Sequence, residues 1–271
     1  MKILDGSSLA SYIKERQATE VRSLIQGSRI QPKLAIIRTN PDPIVDSYMK
    51  LKQQYGQDIG VEVEVHTIEQ NEAIQRIAKL NNDKSVQGII VQIPLPNPKQ
   101  TNEILNKVDP DKDVDGLAVK TKFDAPTPMA ITWLLAGYNI NLPGKKIAII
   151  GHGRLVGKPL AKLLSTSDLD VSVVDKNSGD LSEQCTTSDI IISATGVPGL
   201  ITSQMVKPDA VIVDAGVATD SNGLIGDVAP DVREMTDITI TPIKGGVGPL
   251  TVCALFDNVI RSARNSTDKA K

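Results

Sequence analysis

Apolar and polar positions alternate in blocks along the chain, and each block has the period of a helix or of a strand. Apolar residues recur at helical spacing between Leu9 and Ile25, which predicts a helix over 8–26. Strands are predicted over 33–38, 61–66 and 86–96, with helices over 44–56 and 71–82 between them. Because strand–helix–strand units repeat, we expect a parallel sheet that is covered by helices.

The pattern restarts after a boundary near 116–126. Thr127 is expected to cap a helix whose first residue is Pro128, since threonine is favoured at the cap and proline at the first helical position. Further strands are predicted at 145–150, 170–174, 189–194, 210–214 and 238–241, and a final helix at 250–264. We expect this final helix to fold back on the first domain, where it can bury its apolar stripe.

Composition and charge exclude several classes of protein. The 271 residues carry a formal net charge of −2, which argues against a general nucleic-acid surface. No apolar run approaches the length of a membrane span and no signal peptide precedes the first helix, so a cytoplasmic protein is expected. Two cysteines and two histidines are too few for a disulfide framework or a histidine-rich metal centre, and no metal is expected.

A glycine loop, GHGRLVG at 151–157, lies between a predicted strand and a predicted helix. Gly151, Gly153 and Gly157 have the spacing G-x-G-x-x-x-G, which differs from the usual fingerprint for binding a dinucleotide. The context favours a phosphate cradle, because small residues let the backbone approach phosphates at a helix N-terminus. A tight turn that binds no ligand is the alternative.

An acidic residue follows the next strand at Asp175, where a carboxylate usually accepts hydrogen bonds from the adenosine ribose. Such a carboxylate also repels a 2′-phosphate and so favours NAD, although positive charge from His152 or Lys176 would weaken that preference. The loop 193–201, with Thr195 and Gly196, either lines the same crevice or is a plain turn.

Polar side chains that could carry chemistry lie in the first half of the chain. Tyr48 and Lys52 share one helix face at the spacing i, i+4, either as functional groups or as part of a solvated surface. Short-chain dehydrogenases also use a Tyr-x-x-x-Lys pair, but their glycine loop precedes the pair. Gln92 lies at the end of a buried strand and needs a partner. Asp115 belongs to an acidic loop that either is solvated or points into a cleft.

Four stretches, YMKLK, VQIPLP, DKDVDG and TPIKGGVGPLT, occur together in this order. With the glycine loop, they make the chain similar to the bifunctional methylenetetrahydrofolate dehydrogenase/cyclohydrolase family over residues 3–262. The resemblance implies two α/β domains with a cleft between them. The folate-binding catalytic domain would comprise 1–120 plus 250–271, and the Rossmann-like NAD(P)-binding domain 121–249. It also implies a homodimer formed mainly through the dinucleotide-binding domains.

The resemblance further implies a reaction in two steps. Hydride leaves 5,10-methylenetetrahydrofolate for the nicotinamide, and water then opens the methenyl product to 10-formyltetrahydrofolate. Lys52 would handle protons and Gln92 would position it, while Tyr48 would lie against the pterin and Asp115 would hold the pterin's amino-pyrimidine edge. The backbone of Gly248 and Pro249 would close over the folate. The cofactor site would comprise Gly151, His152, Gly153, Val156, Gly157, Asp175, Lys176, Thr195 and Gly196.

The cofactor loop departs from the family pattern. His152 stands where the family usually has the arginine that contacts the 2′-phosphate of NADP, and Asp175 stands where histidine is common. NADP is the family default, whereas these changes favour NAD, and Lys244 is a further candidate for the missing positive charge. Two other functions stay open from the residues alone: a shikimate-type dehydrogenase and a non-catalytic nucleotide-binding module.

Overall fold

The chain divides into two units in a computed structural model that describes residues 1–41, 43–216, 218–220 and 223–268. One unit, called the three-stranded unit below, comprises Ser11–Pro126 and Val252–Lys271. The other, called the six-stranded unit, comprises Met1–Ala10 and Thr127–Thr251. Each has its own sheet and its own hydrophobic core, as expected for two α/β domains.

The strands are β1 Lys2–Ile3, β2 Lys33–Arg38, β3 Glu62–Thr67, β4 Gly88–Val91, β5 Lys146–Ile150, β6 Asp170–Val174, β7 Ile190–Ser193, β8 Val211–Asp214, β9 Ala218–Asp220, β10 Gly223–Ile225 and β11 Thr239–Ile240. The α-helices are α1 Gly6–Ser23, α2 Pro43–Ile59, α3 Ala73–Asn82, α4 Thr101–Leu105, α5 Pro126–Gly137, α6 Gly157–Leu164, α7 Leu181–Thr187 and α8 Val247–Asp268. A π-helical turn at Leu24–Ser28 continues α1, and 3-10 turns lie at Gln70–Glu72, Pro98–Gln100, Ser203–Met205 and Pro230–Glu234.

The sheet of the three-stranded unit is parallel, with β2 between β3 and β4. Side chains of β2 alternate between two hydrophobic clusters, one containing Leu34 and Ile36 and the other containing Ala35 and Ile37. Because both faces of β2 are covered, its sequence is a continuous apolar run without polar alternation.

The final helix, α8, is bound to the three-stranded unit by buried polar side chains. Asn258 Nδ2 donates hydrogen bonds of 2.9 Å to the carbonyl oxygens of Val114 and Asp124. Ser262 Oγ donates one of 2.7 Å to the carbonyl of Gln87. These contacts confirm the prediction that the terminal helix folds back on the first domain.

The six-stranded sheet has the order β1-β11-β8-β7-β5-β6, and all its pairs are parallel. A separate antiparallel pair is formed by β9 and β10. The first ten residues were expected in the catalytic domain, but they belong to this unit. The reason is that β1 pairs with β11, and the N–H of Leu4 continues the ladder to the carbonyl of Ile240 at 2.9 Å.

Several element boundaries differ from the prediction, and three of them bear on the site. The strand expected over 86–96 ends at Val91, because Pro94 follows closely and has no N–H for the ladder. The helix expected to begin at Pro128 begins at Pro126, so Thr127 lies inside its first turn. The final helix begins at Val247, ahead of the expected 250. No helix among the residues described is long and apolar enough to cross a membrane.

Candidate active site

Lys52 lies on the buried side of α2. Val45, Met49 and Ile59 are at most 8% exposed and form an apolar stripe along this helix. Lys52 comes three residues after Met49 and seven before Ile59, so helical periodicity places it within that stripe. The phase of the helix therefore brings a long basic side chain among apolar neighbours.

A glycine brings α2 close to the sheet. A Cβ at Gly56 would lie 2.4 Å from Cγ2 of Val63 and 2.9 Å from the carbonyl oxygen of Val61. No larger residue fits there without moving the helix away from β3. This close approach fixes the position of α2, the helix that carries Lys52.

Gln92 is the direct partner of Lys52. Its backbone N–H donates to the carbonyl of Ile37 at 2.9 Å, and its Nε2 donates to the carbonyl of Ile93 at 3.1 Å. The amide is thereby oriented with Oε1 towards Lys52, whose Nζ donates to it over 3.1 Å. A neutral amide accepts this hydrogen bond without holding the lysine in its charged form.

Asp115 lies in a loop that is anchored on both sides. Lys112 Nζ donates to three backbone carbonyls at the end of α3, at 2.7 to 2.9 Å. Asp113 Oδ2 accepts the N–H of Ala118 at 2.9 Å. Gly116 has a φ of +68°, and a Cβ there would lie 2.8 Å from the backbone nitrogen of Ala125. The loop around Asp115 is therefore held in one conformation.

Lys52 and Asp115 influence each other electrostatically. Both keep some solvent access, but each is enclosed enough that burial dominates its titration. Burial lowers the pKa of Lys52, and attraction to the Asp115 carboxylate opposes this. Burial also raises the pKa of Asp115, Lys52 opposes it, and the nearby Asp113 adds to it. The site thus holds a lysine that gives up its proton more easily than an exposed one.

Tyr48 lies one helical turn before Lys52 on α2, and 40% of its surface is exposed. It is among the few large exposed apolar side chains of this unit. An exposed aromatic ring one helical turn from a basic group offers a flat surface to a planar ligand. The structure thus brings Lys52 and Gln92 into contact, places Asp115 within electrostatic range of Lys52, and places Tyr48 one turn before Lys52 on the same helix.

The three glycines of the 151–157 loop meet different surroundings. Gly151 has a φ of +97°, and a Cβ on it would lie 2.8 Å from the carbonyl oxygen of Ala194. A Cβ on Gly157 would lie 1.8 Å from the carbonyl oxygen of Gly151. No described atom lies within 4 Å of a Cβ on Gly153. The outer glycines permit the turn and the close packing of α6, whereas Gly153 leaves its backbone open to a ligand.

The open backbone precedes a helix N-terminus formed by Val156 and Gly157, where the helix dipole favours an anion. The N–H of Lys158 donates to the carbonyl of Gly153 at 3.0 Å and Pro159 has no N–H, so Gly157 supplies the N–H of this turn that a ligand could accept. His152 is exposed at the same loop. These residues fit a bound dinucleotide phosphate, and the fit depends on the space at Gly153.

Asp175 follows β6 and organises the turn after it. Its Oδ1 accepts the N–H of Asn177 at 2.8 Å and the hydroxyl of Ser178 at 2.9 Å. These two hydrogen bonds hold the pKa of Asp175 below its usual range, and the nearby His152 lowers it further. Asp175 is therefore a charged carboxylate at neutral pH, and Lys176 beside it is exposed.

The side chain of Asp227, which the sequence patterns did not indicate as functional, holds the loop after β7. Thr195 donates its N–H, and Ser193 its hydroxyl, to Oδ2 of Asp227, each over 2.7 Å. Gly196 follows with a φ of +72°. The only signal in the sequence was a polar residue, Ser193, that ends an otherwise apolar strand.

Gly248 and Pro249 lie in the first turn of α8, although they were expected in a loop. A Cβ on Gly248 would meet no described atom within 4 Å. Lys244 is exposed in the turn before this helix. The helix extends further towards the N-terminus than expected because proline fits its early positions.

Comparison with known proteins agrees with this geometry. The family model described as "Tetrahydrofolate dehydrogenase/cyclohydrolase, catalytic domain" matches residues 4–115, and the model of the "NAD(P)-binding domain" of the same family matches residues 125–267. The chain belongs to this family. The prediction from the sequence motifs is thereby confirmed.

Relatives match over nearly the full length. The chain is 38% identical to the "Bifunctional protein FolD" of Hydrogenobaculum sp., over 97% of this chain and 98% of that protein. The crystal structure of the bifunctional enzyme FolD from Campylobacter jejuni has a TM-score of 0.92 and 34% identity, and covers 98% of this chain and 99% of that one. A shikimate 5-dehydrogenase from Listeria monocytogenes, at 14% identity and a TM-score of 0.54, shares the fold alone over 90% of this chain and 98% of that one.

The depressed pKa of Lys52 predicts a pH dependence of stability. Between its folded-state pKa and the ordinary value of 10.5, the unfolded chain binds the proton that the folded chain has lost. The free energy of unfolding should therefore rise with pH through this window. Lys52→Met should remove the rise, so it is more stable than the wild type at about pH 7 and loses that advantage near about pH 10.

Urea unfolding at both pH values measures this difference. Lys50→Met, at an exposed lysine of the same helix, is the matched control and should run parallel to the wild type. Parallel curves for Lys52→Met as well would contradict a depressed pKa.

Proposed function

We propose that this chain oxidises 5,10-methylenetetrahydrofolate to the methenyl form with a nicotinamide dinucleotide, and then hydrolyses that product to 10-formyltetrahydrofolate. The observation that carries the proposal is the hydrogen bond of 3.1 Å between Lys52 and Gln92, on a lysine whose pKa is lowered by burial. Membership of a dehydrogenase/cyclohydrolase family supports both steps.

Hydrolysis needs a group that both accepts and returns a proton. Water that adds to the methenyl cation loses one proton, and the ring nitrogen that leaves that carbon gains one. The hydroxyl of the adduct releases its own proton to solvent as the formyl carbonyl forms. A neutral Lys52 amine can take the first proton, and the resulting ammonium can supply the second. Gln92 suits this cycle because its oxygen accepts a hydrogen bond from either form of the amine.

Binding of the folate is assigned to the groups around Lys52. Asp115 would accept hydrogen bonds from the amino-pyrimidine edge of the pterin, and the exposed ring of Tyr48 would lie against the pterin face. Gly248 and Pro249 would add backbone contacts from the first turn of α8.

The dinucleotide would be held by the six-stranded unit. When it is bound, its nicotinamide ring supplies the hydride acceptor. Gly153 and Gly157, at the N-terminus of α6, would hold the phosphates through backbone N–H groups. Gly151 would permit the turn, since its own N–H donates to the carbonyl of Val174 at 2.7 Å. The loop with Thr195 and Gly196 would line the same site at the carboxyl end of β7.

The test is an assay with 5,10-methylenetetrahydrofolate that follows the absorbance of the methenyl product and its subsequent loss. Lys52→Met should lower cyclohydrolase turnover by about 100-fold or more, as expected when a proton-transfer group is lost. Lys50→Met should keep both activities. The proposed function is contradicted if the wild type forms no methenyl product. Oxidation of shikimate in its place would indicate the alternative dehydrogenase activity.

Our choice of cofactor is NAD. Asp175 is charged at neutral pH and lies at the end of β6, where it can accept hydrogen bonds from both ribose hydroxyls but would repel a 2′-phosphate. His152 stands in place of the arginine that the family pattern provides for that phosphate.

We expect kcat/KM for NAD to exceed that for NADP by about tenfold or more, since one such charge contact is worth about this factor. Asp175→Ser should reduce the preference by raising activity with NADP. Asp170→Ser, at the opposite and exposed end of β6, is the matched control. A wild type that prefers NADP would contradict the choice.

We also propose a cytoplasmic homodimer that is assembled mainly through the six-stranded units, on the basis of the family resemblance. Sedimentation equilibrium should give twice the mass of 29.0 kDa. A monomer at micromolar concentration would contradict this assembly.

A further inference from the structure

A buried polar cluster lies at the carboxyl ends of three neighbouring strands of the six-stranded unit. Ser193 ends β7, Asp214 ends β8, and Thr241 follows β11. Asp227 joins them from the segment after β10, and Ser193, Asp227 and Thr241 are all 0% exposed. Buried polar groups of this number need mutual hydrogen bonds, so the cluster is a specified feature of the fold.

The two carboxylates of the cluster have different partners. Asp214 accepts the N–H groups of Asp227 and Val228 at 3.0 and 3.2 Å and pairs with Arg233 at 3.2 Å. Asp227 accepts the hydroxyl of Ser193 and the N–H of Thr195 on a single oxygen, Oδ2. No cation is paired with Asp227 among the contacts of the described residues.

Both hydrogen bonds that the Asp227 side chain accepts go to the end of β7 and the loop after it, whereas its Oδ1 is buried without a partner among the described residues. The far end of that loop is held by the same segment: the N–H of Ile201 donates to the carbonyl of Asp227 at 3.0 Å, and the N–H of Ala229 donates to the carbonyl of Ile201 at 2.8 Å. The loop 194–200 is therefore fastened at both ends to residues 227–229. Thr195 is itself the first attachment, and Gly196 lies between the two.

Close packing against two glycines restricts the position of the Asp227 and Asp214 carboxylates. A Cβ on Gly216 would lie 2.0 Å from Oδ1 of Asp227, and a Cβ on Gly226 would lie 2.0 Å from Oδ2 of Asp214. Both carboxylates therefore occupy space that only glycine neighbours leave. The position of the Asp227 carboxylate therefore fixes the position and direction of the backbone at Thr195.

We propose that Asp227 is a positioning residue for the dinucleotide: it acts through Ser193 and Thr195 to hold the cofactor-lining loop in its binding conformation. This rests on the proposed function of the six-stranded unit as the cofactor site. Asp227 itself touches neither substrate nor cofactor in this assignment. Its loss should therefore weaken cofactor binding without changing the chemistry of the folate site.

Three variants separate the contributions. Ser193→Ala removes one hydrogen bond, Asp227→Asn removes the charge but keeps an acceptor oxygen, and Asp227→Ala removes both bonds. The matched control is Asp231→Asn. Asp231 Oδ2 likewise accepts a hydroxyl and an N–H, both from Ser203, but on the exposed surface of the same unit.

Calorimetric titration with NAD measures binding directly, and steady-state kinetics measure its consequence. We expect the Kd and the KM for NAD to rise by about tenfold in Asp227→Ala, and by less in Ser193→Ala and Asp227→Asn, since a charge-assisted hydrogen bond contributes about that factor. Dehydrogenase kcat at saturating NAD should stay within about twofold, because the reacting groups are unchanged. Hydrolysis of methenyltetrahydrofolate without cofactor should be unaffected, and Asp231→Asn should match the wild type.

A merely structural role would give a different result. Partial unfolding of the unit lowers the active fraction, which reduces kcat and the binding stoichiometry while Kd and KM stay the same. That outcome, or a Kd within twofold of the wild type in Asp227→Ala and Ser193→Ala, would overturn the proposal. Absence of dehydrogenase turnover in the wild type would instead overturn the proposed function.

Discussion

The three-stranded unit depends on burying one lysine within an apolar helix stripe. A charged amine in that position is costly, so the site must either pair it with an anion or let its proton go. The structure combines parts of both solutions. The neutral amide of Gln92 makes the direct hydrogen bond to Lys52. The Asp115 carboxylate attracts the lysine, but the two do not form an ion pair within 4.0 Å. Lys52 is thus held in place with a lowered pKa, which a direct ion pair would have raised.

Two aspartates of the six-stranded unit are held in another way, unlike Asp214, which pairs with Arg233. Asp175 and Asp227 accept hydrogen bonds from nearby N–H and hydroxyl donors and have no lysine or arginine as direct partner among the described contacts. Such donors come from turns and strand ends, so each carboxylate also fixes a local backbone conformation. In the proposed cofactor site, where backbone N–H groups are assigned to the phosphates, holding the backbone is equivalent to shaping the site.

The sequence predicted features that depend on local order. Strand β2 was predicted to the residue because an apolar run is bounded by Lys33 and Arg38. Gln92 was found because a polar residue stands out at the end of an apolar strand, whereas Lys52 was found through its spacing from Tyr48 and the family motif around it. The pairing of the two-residue β1 with β11 escaped prediction, since so short a strand has no period to read. The bond from Ser193 to Asp227 spans 34 residues and depends on the fold itself, which no local pattern encodes.

Residues that local sequence patterns reveal and contacts that depend on distant residues serve different parts of the chemistry. Proton transfer needs side chains of particular types, so Lys52, Gln92 and Asp115 can be picked out from the sequence by residue type and position. Holding phosphates needs backbone N–H groups and open space around them. Glycines in the sequence indicate such a loop, but carboxylates distant in sequence hold its backbone in position. A substitution in the first kind of site removes a reacting group, whereas one in the second displaces a backbone. We therefore expect substitutions in the two units to change different kinetic parameters, even though one chain carries both steps.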